Sequence, residues 1–333
     1  MKVTIKDVAK KAKVSLTTVS HVINNKPYAR ISKSTRERVL KVVSELNYKP
    51  NIIARGLAIR KSTLVGVLLP DIDSSFYARI LQGIENVANK FDYSILLYTT
   101  SYNAEKELEV VEILIEKRVD GIIIVPTFTK EDVFWYNELK ENRIPFIVIG
   151  NYIGDESIYV NQSEGIRLAF EYLIKLGHKD IFYFSGPKGV ITADDRRRAF
   201  KDLVKKNGLE ENCLILESGF SWKDGYKTTK DILNLKKMPT AILASCDIAA
   251  MGIYKALNEA GYKIPDDISV IGYDNLDICE ALSPALTTIN QPKYELGEIA
   301  AEKLFNLING KKEERKVILP ELIIRESCKD IRS

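Results

Sequence analysis

The chain has 333 residues, 45% of them apolar and 28% charged, with four Cys and two His. No apolar run approaches the length that crosses a bilayer and the cysteines lack metal-ligand spacing, which excludes an integral membrane protein and a metal module. The formal charge of +4 conceals an asymmetry: residues 1–61 carry a net +12 and the remaining 272 residues a net −8.

A basic head on a mildly acidic body is the electrostatic footprint of a nucleic-acid-binding module, because cations that neutralise phosphates release condensed counterions. The head is not a solvated tail, since its charges are interleaved with apolar residues at helical spacing. Ile5, Val8, Ala9 and Ala12 recur three and four apart behind Thr4, an N-cap candidate, and predict a first short helix. Ser15 caps a second, Leu16 to Asn24, with Val19, Val22 and Ile23 on one face and Thr17, Ser20 and His21 on the other. A third runs from about Ser34 to Leu46, opened by Ser32 or by Ser34 with Glu37 as a capping box, with an apolar stripe of Val39, Leu40, Val42, Val43 and Leu46. Two short helices separated by a tight turn and backed by a third are the layout of a helix-turn-helix, whose second helix enters the major groove.

The run Thr4-Ile5-Lys6-Asp7-Val8-Ala9, then Val14-Ser15, Thr18-Val19-Ser20, Val22-Ile23-Asn24, Thr35-Arg36 and Leu46-Asn47-Tyr48-Lys49-Pro50-Asn51, resembles the headpiece of the lactose/galactose repressor family. Within that family, Thr17 to Asn24 looks most like the recognition helix of the purine repressor, with His21 where most members have Arg. The resemblance implies that Leu16, Thr17 and His21 face base edges, while Thr4, Ser15, Ser20, Asn24 and Tyr28 join the contact mainly through the backbone of double-stranded DNA. Residues 51–60 are too few to form a stable helix alone, and Gly56 weakens them by a further ~1 kcal/mol relative to Ala. By resemblance this segment is a hinge helix that pairs with its mate in a homodimer, with Leu57 as a minor-groove wedge and Ala54 beside it. A wedge of this kind favours a pseudo-palindromic operator with a central pyrimidine-purine step. The competing reading makes Leu57 and Ile53 anchors of a linker.

From Thr63 onward, short Val/Ile/Leu-rich runs alternate with amphipathic helices, the pattern of parallel strands buried on both faces. Strands are predicted at 64–69, 93–98, 121–125, 146–149, 181–184, 213–216, 241–244 and 269–272, with helices at 77–90, 104–117, 164–176 and 248–260. More than 270 such residues exceed one core and predict two α/β lobes. The resemblance continues through Arg118-Val119-Asp120-Gly121, Leu176-Gly177-His178, Asp267 to Asp274 and Leu286 to Pro292, and so covers essentially the whole chain. It implies an all-α helix-turn-helix headpiece (1–48), a hinge (49–61) and a doubly wound effector domain (62–333) similar to periplasmic sugar-binding proteins. The N-lobe would take about 62–161 and 291–321, and the C-lobe about 162–290 and 322–333.

Catalytic signatures are missing: no G-x-G-x-x-G, G-x-x-x-x-G-K-[ST], G-x-S-x-G or H-E-x-x-H occurs. With one His in the recognition helix and the other in a turn, a His-based acid-base pair is not expected. No signal peptide precedes the body, so a cytoplasmic protein with reduced thiols is expected, without metal, cofactor or membrane partner. A soluble sugar receptor with a vestigial headpiece and an α/β enzyme acting on sugars or nucleosides are the rivals to a transcriptional repressor.

Ligands of open α/β sheets bind beyond the carboxyl ends of the strands. By resemblance, Arg196 and Asp274 meet effector hydroxyls or ring edges, Phe220 stacks on the ligand, Phe76 and Tyr77 add aromatic contacts, and Thr192 and Asp247 complete the site. That chemistry suits a sugar. A structural salt bridge for Arg196 and a core position for Phe220 compete with this. Val190 stands where the purine repressor has Arg, and Cys246 where sugar-responsive members often have Asn, so the effector stays open with carbohydrate favoured over purine. Whether it releases or recruits the repressor is open too.

Overall fold

The computed structural model describes residues 3–23, 30–48, 61–127, 134–150 and 154–332. They form two compact units, Met1–Ser62 and Thr63–Ser333.

Among the described residues, the first unit is three helices around one small core. Helix α1 (Ile5–Ala12) opens on Thr4, whose backbone N–H and hydroxyl both donate to the Asp7 carboxylate, at 2.9 and 2.7 Å. Helix α2 (Leu16–Ile23) opens on Ser15, whose Oγ accepts the Thr18 N–H at 3.1 Å. Helix α3 (Lys33–Glu45) opens on Ser32, which accepts the Thr35 N–H at 3.2 Å. Of the two openings the sequence offered, Ser32 is the one used, and the Ser34–Glu37 capping box does not form the cap. Val8, Ala12, Val19, Val22, Val39 and Val42 fill the core, and Tyr48 closes it. Leu40, expected in the apolar stripe, is 48% exposed; the stripe narrows to Val39, Val42 and the half-buried Val43 and Leu46 because three short helices enclose only a thin core.

The second unit holds two six-stranded sheets. The first has the order β11-β5-β4-β3-β1-β2, built from β1 (Leu64–Leu69), β2 (Ser94–Thr99), β3 (Gly121–Ile124), β4 (Phe146–Ile149), β5 (Ser157–Val160) and β11 (Lys316–Ile318), all parallel. The second has the order β12-β10-β9-β8-β6-β7, from β6 (Ile181–Ser185), β7 (Leu214–Glu217), β8 (Ala241–Leu243), β9 (Ser269–Asp274), β10 (Thr287–Asn290) and β12 (Glu321–Ile323), with only β12 antiparallel. Strands β1, β3, β4, β6 and β9 are buried almost throughout, as continuous apolar runs in a sheet covered on both faces must be.

Helices α4 (Ser75–Lys90), α5 (Ala104–Glu116) and α6 (Phe134–Glu141) cover the first sheet together with α12 (Lys293–Ile308), whose Leu296, Ala300 and Leu304 share a core with Val65 and Ile123. Helices α7 (Gln162–Lys175), α8 (Ile191–Lys206), α9 (Trp222–Ile232), α10 (Asp247–Glu259) and the one-turn α11 (Ile278–Ala281) belong with the second sheet. A Cβ added at Gly83 would lie 2.1 Å from the Tyr294 carbonyl oxygen, so glycine there sets the approach of α4 to α12. The chain thus passes between lobes three times: after β5, after β10, and between β11 and β12. Sequence patterning alone did not reveal β5, β10, β11 or β12. β5 and β10 open on Ser157 and on Thr287-Thr288, and β11 and β12 carry exposed residues, so none shows the unbroken apolar run by which the equally short β3, β4 and β8 were read.

Candidate functional site

On α2, the buried residues Val19 and Val22 turn the helix so that Leu16 is 44% exposed and Thr17 is exposed, with Ser20 and His21 half-buried. Thr17 and His21 stand one turn apart on the same face. Ser15 is exposed but its hydroxyl is already engaged with Thr18, at 2.9 Å from Thr18 Oγ1, and Thr4 is held by Asp7. Both can therefore offer a phosphate their helix-end surroundings more readily than a free hydroxyl. Asn24, Tyr28, Ala54 and Leu57 lie outside the described residues.

A cleft of about 750 Å³ separates the lobes of the second unit. The carboxyl ends of strands from both sheets open onto it, where an open α/β sheet places its ligand. Its N-lobe wall carries Phe76 and Tyr77, whose rings meet edge to face with centroids 5.2 Å apart. Its C-lobe wall carries Thr192, Arg196, half-buried Phe220 and Asp274. A Cβ on Gly186 would sit 2.4 Å from the Phe220 ring, so this glycine leaves the ring room to lie along the wall.

Arg196 is 5% exposed and makes no ion pair among the described residues. Its Nε donates to Gln162 Oε1 at 2.7 Å, its Nη1 to the Ser245 carbonyl at 2.8 Å, and its guanidinium lies 3.5 Å above the centre of the Tyr273 ring. Beyond these bonds and its contact with the Tyr273 side chain, the fork keeps donor capacity for a ligand. Asp274 ends β9 at φ 116°, followed by Asn275 at φ 54°, a left-handed pair that turns the carboxylate into the cleft. Lys293 holds this strained turn, its Nζ donating to the Asp274, Asn275 and Gln291 carbonyls. Burial raises the Asp274 carboxyl, opposed by the positive charges of Arg196 and Lys293.

Asp247 does not line the cleft and is fully buried, which corrects its assignment as an effector ligand. Its carboxylate accepts the Thr288 hydroxyl at 2.6 Å and the Leu276 N–H at 2.8 Å, so it is consumed in tying α10 to β10 and to the loop after β9. Burial first, and then the Asp274 charge, push it up to about 7. A carboxyl that is harder to ionise folded than unfolded makes the folded state bind more protons, so its stability contribution is present at acidic pH and lost as pH rises toward 7. Against Asp247→Asn, the wild-type melting temperature should therefore fall progressively between pH 5 and pH 7.5. A difference constant across that range would show that Asp247 titrates normally.

Several cleft residues escaped the reading of the sequence. Asp71 accepts the Ser74 N–H at 3.0 Å and the Tyr102 hydroxyl; Tyr102, in turn, is hydrogen-bonded to Tyr77. Consecutive left-handed residues, Ser101 and Tyr102, bring that side chain to the rim. Gln162 and Gln291 lie within the buried floor. Gln162 left only a weak signal, two residues ahead of the helix predicted at 164–176, because the strand before it was not legible; for Gln291 the signal was the Asn290-Gln291-Pro292 run already noted. Cys246 also faces the cleft, but its thiol is spent, donating to the Phe220 carbonyl and accepting the Ala249 N–H. Among the described residues no three His, Cys, Asp or Glu side chains are grouped to hold a metal, and no helix is long and apolar enough to cross a membrane.

A small helical reader joined to a two-lobed receptor defines a ligand-responsive DNA-binding regulator rather than an enzyme. Residues 4–51 match the profile of bacterial regulatory proteins of the lacI family, and residues 170–328 that of a periplasmic binding protein-like domain. The chain is 36% identical over 330 residues to the ribose operon repressor of Halalkalibacterium halodurans, covering 98% of this chain and 97% of that one. It is 38% identical over 334 residues to the transcriptional repressor PurR of Pasteurella multocida, covering 98% of each. The crystal structure of the Lac repressor dimer bound to operator and the anti-inducer ONPF superposes with a TM-score of 0.91 at 29% identity, over 99% of this chain and 100% of that one. The chain belongs to the lacI family of bacterial transcriptional regulators.

Proposed function

We propose that this regulator is a cytoplasmic homodimeric repressor that binds a pseudo-palindromic operator and whose operator affinity is set by a sugar, without a cofactor. The carrying observation is the cleft, where a guanidinium with N–H groups to spare and a buried carboxylate flank aromatic walls. Vicinal hydroxyls accept from the first and donate to the second, while Phe220, Phe76 and Tyr77 cover the C–H faces of a pyranose or furanose. The likeness to a ribose operon repressor supports this choice. A purine is the alternative raised by the resemblance of the recognition helix to the purine repressor, but Val190, standing where that repressor has Arg, puts an apolar side chain on the cleft.

A ligand that binds only the folded state raises the melting temperature, with about 2.7 kcal/mol of stabilisation expected at a concentration of 100 Kd. D-ribose and other monosaccharides, but not hypoxanthine or guanine, should shift the transition. A shift with the purines alone would overturn the sugar reading.

A further inference from the structure

The two cleft groups of the C-lobe are joined by a chain of hydrogen bonds through the segments where the polypeptide changes lobes. Arg196 Nε donates to Gln162 Oε1 at 2.7 Å, Gln162 Nε2 to Gln291 Oε1 at 3.0 Å, and Gln291 Nε2 to Asp274 Oδ1 at 2.6 Å. The four residues are 5%, 6%, 2% and 9% exposed in that order, so water does not compete for these bonds. Gln162 opens α7 two residues after β5, and Gln291 stands between β10 and α12. Each amide is therefore on a different crossing, and the central bond joins the first crossing to the second.

The polarity of the chain is fixed at both ends. A guanidinium only donates and an ionised carboxylate only accepts, so each amide has one orientation that satisfies every link. Hydrogen bonds aligned head to tail in a buried site polarise one another. Lys293, bonded to the carbonyls of Asp274 and Gln291, fixes the second crossing to the end of β9 as well. We propose that Gln162 and Gln291 are positioning residues that convert occupation of the cleft into lobe orientation. A ligand accepting from Arg196 and donating to the free oxygen of Asp274 bridges the same two groups that the amides connect. Drawing the guanidinium and carboxylate toward the ligand changes the span the two amides must fill, and the crossings shift with them. Rotation of the lobes, conversely, moves Gln162 against Gln291 and alters how both cleft groups are presented. The proposal rests on the reading of the cleft as an effector site.

The test uses the full-length protein with Gln162→Met, Gln291→Met and the double variant, side chains of similar length that cannot hydrogen-bond. D-ribose affinity is measured by calorimetry, and the change in operator affinity at saturating D-ribose by fluorescence anisotropy. Each single variant should lose at most about tenfold in D-ribose affinity, the equivalent of one modest hydrogen bond. The operator response at saturation should collapse to about twofold or less, below the roughly fivefold at which typical site coupling begins. In operator response the double variant should lose no more than either single variant, because each interrupts the same chain, although each also removes a bond of its own to Arg196 or Asp274. A full wild-type response in the single variants, or additive losses in the double, overturns the relay. A second arm needs no ligand: spin labels at Lys117→Cys and Lys206→Cys, exposed positions on opposite lobes, report the distance between the lobes within a subunit. The distance distribution should broaden in the Gln variants, and an unchanged distribution overturns the proposal. If wild type answers no sugar, the sugar reading fails by itself and this second arm alone decides the relay.

Discussion

Thr17→Ala and His21→Ala should each weaken binding to the cognate operator by about 1–3 kcal/mol, while affinity for random DNA stays close to that of wild type. The expectation follows from α2, whose buried Val19 and Val22 leave these two side chains one turn apart on the outward face. A base-edge contact is lost only where the right base is present, whereas a phosphate contact is lost on every sequence. The two cases also differ in salt dependence. Removing a phosphate-contacting cation lowers the slope of log affinity against log salt by about one, and replacing Thr17 should leave the slope unchanged. Anisotropy titrations on specific and scrambled duplexes at several salt concentrations decide the matter. Equal losses on both duplexes would place these side chains on the backbone. His21→Arg should keep the headpiece folded and move base preference toward guanine, which offers two acceptors to the guanidinium fork.

The headpiece was legible from its sequence because its helices are short and capped. Thr4, Ser15 and Ser32 each precede an apolar period of three and four, and the caps formed where those patterns begin. Leu40 shows the limit of such a reading. Periodicity states which residues share a stripe, but how wide a stripe is buried depends on the partners, and two other short helices cannot cover all of it. In the body, apolar runs marked the central strands and the edge strands β2 and β7, while β5, β10, β11 and β12 depended on tertiary pairing that their mixed polar sequence does not encode.

The cleft was legible unevenly for a related reason. Asp274 and Arg196 could be placed because each follows a strong strand or lies early in a helix beyond one. Asp247 satisfied the same rule, ending a loop after β8, yet its side chain points away from the cleft toward Thr288 and the Leu276 amide. A position at a strand's carboxyl end therefore locates the backbone and leaves the side chain's direction open. The tyrosine and aspartate of the N-lobe rim, Tyr102 and Asp71, meet across 31 residues of sequence, and the amide relay joins residues 129 apart. Neither juxtaposition leaves a local pattern.

Arg196→Ala and Asp274→Ala should abolish the effector response, with losses in sugar affinity of about a hundredfold or more. Each removes a charged group that is more than nine-tenths buried and leaves its neighbours without a partner. Loss of Arg196 strands Gln162 Oε1 and the Ser245 carbonyl, while loss of Asp274 strands Gln291 Nε2. A hydrogen bond involving a charged group contributes about 1.5–3 kcal/mol, and a sugar hydroxyl pair would forfeit one such bond or more at each site. Linkage then imposes a condition beyond simple loss of binding: operator DNA must change effector affinity by the same factor by which the effector changes operator affinity. Measuring effector affinity with and without operator, and operator affinity with and without effector, closes that cycle for wild type. In the two variants both factors should fall to one together. If either variant still answers the effector with a wild-type factor, the effector is held by other residues of the cleft, and the Arg196–Asp274 pair serves only to brace the crossings.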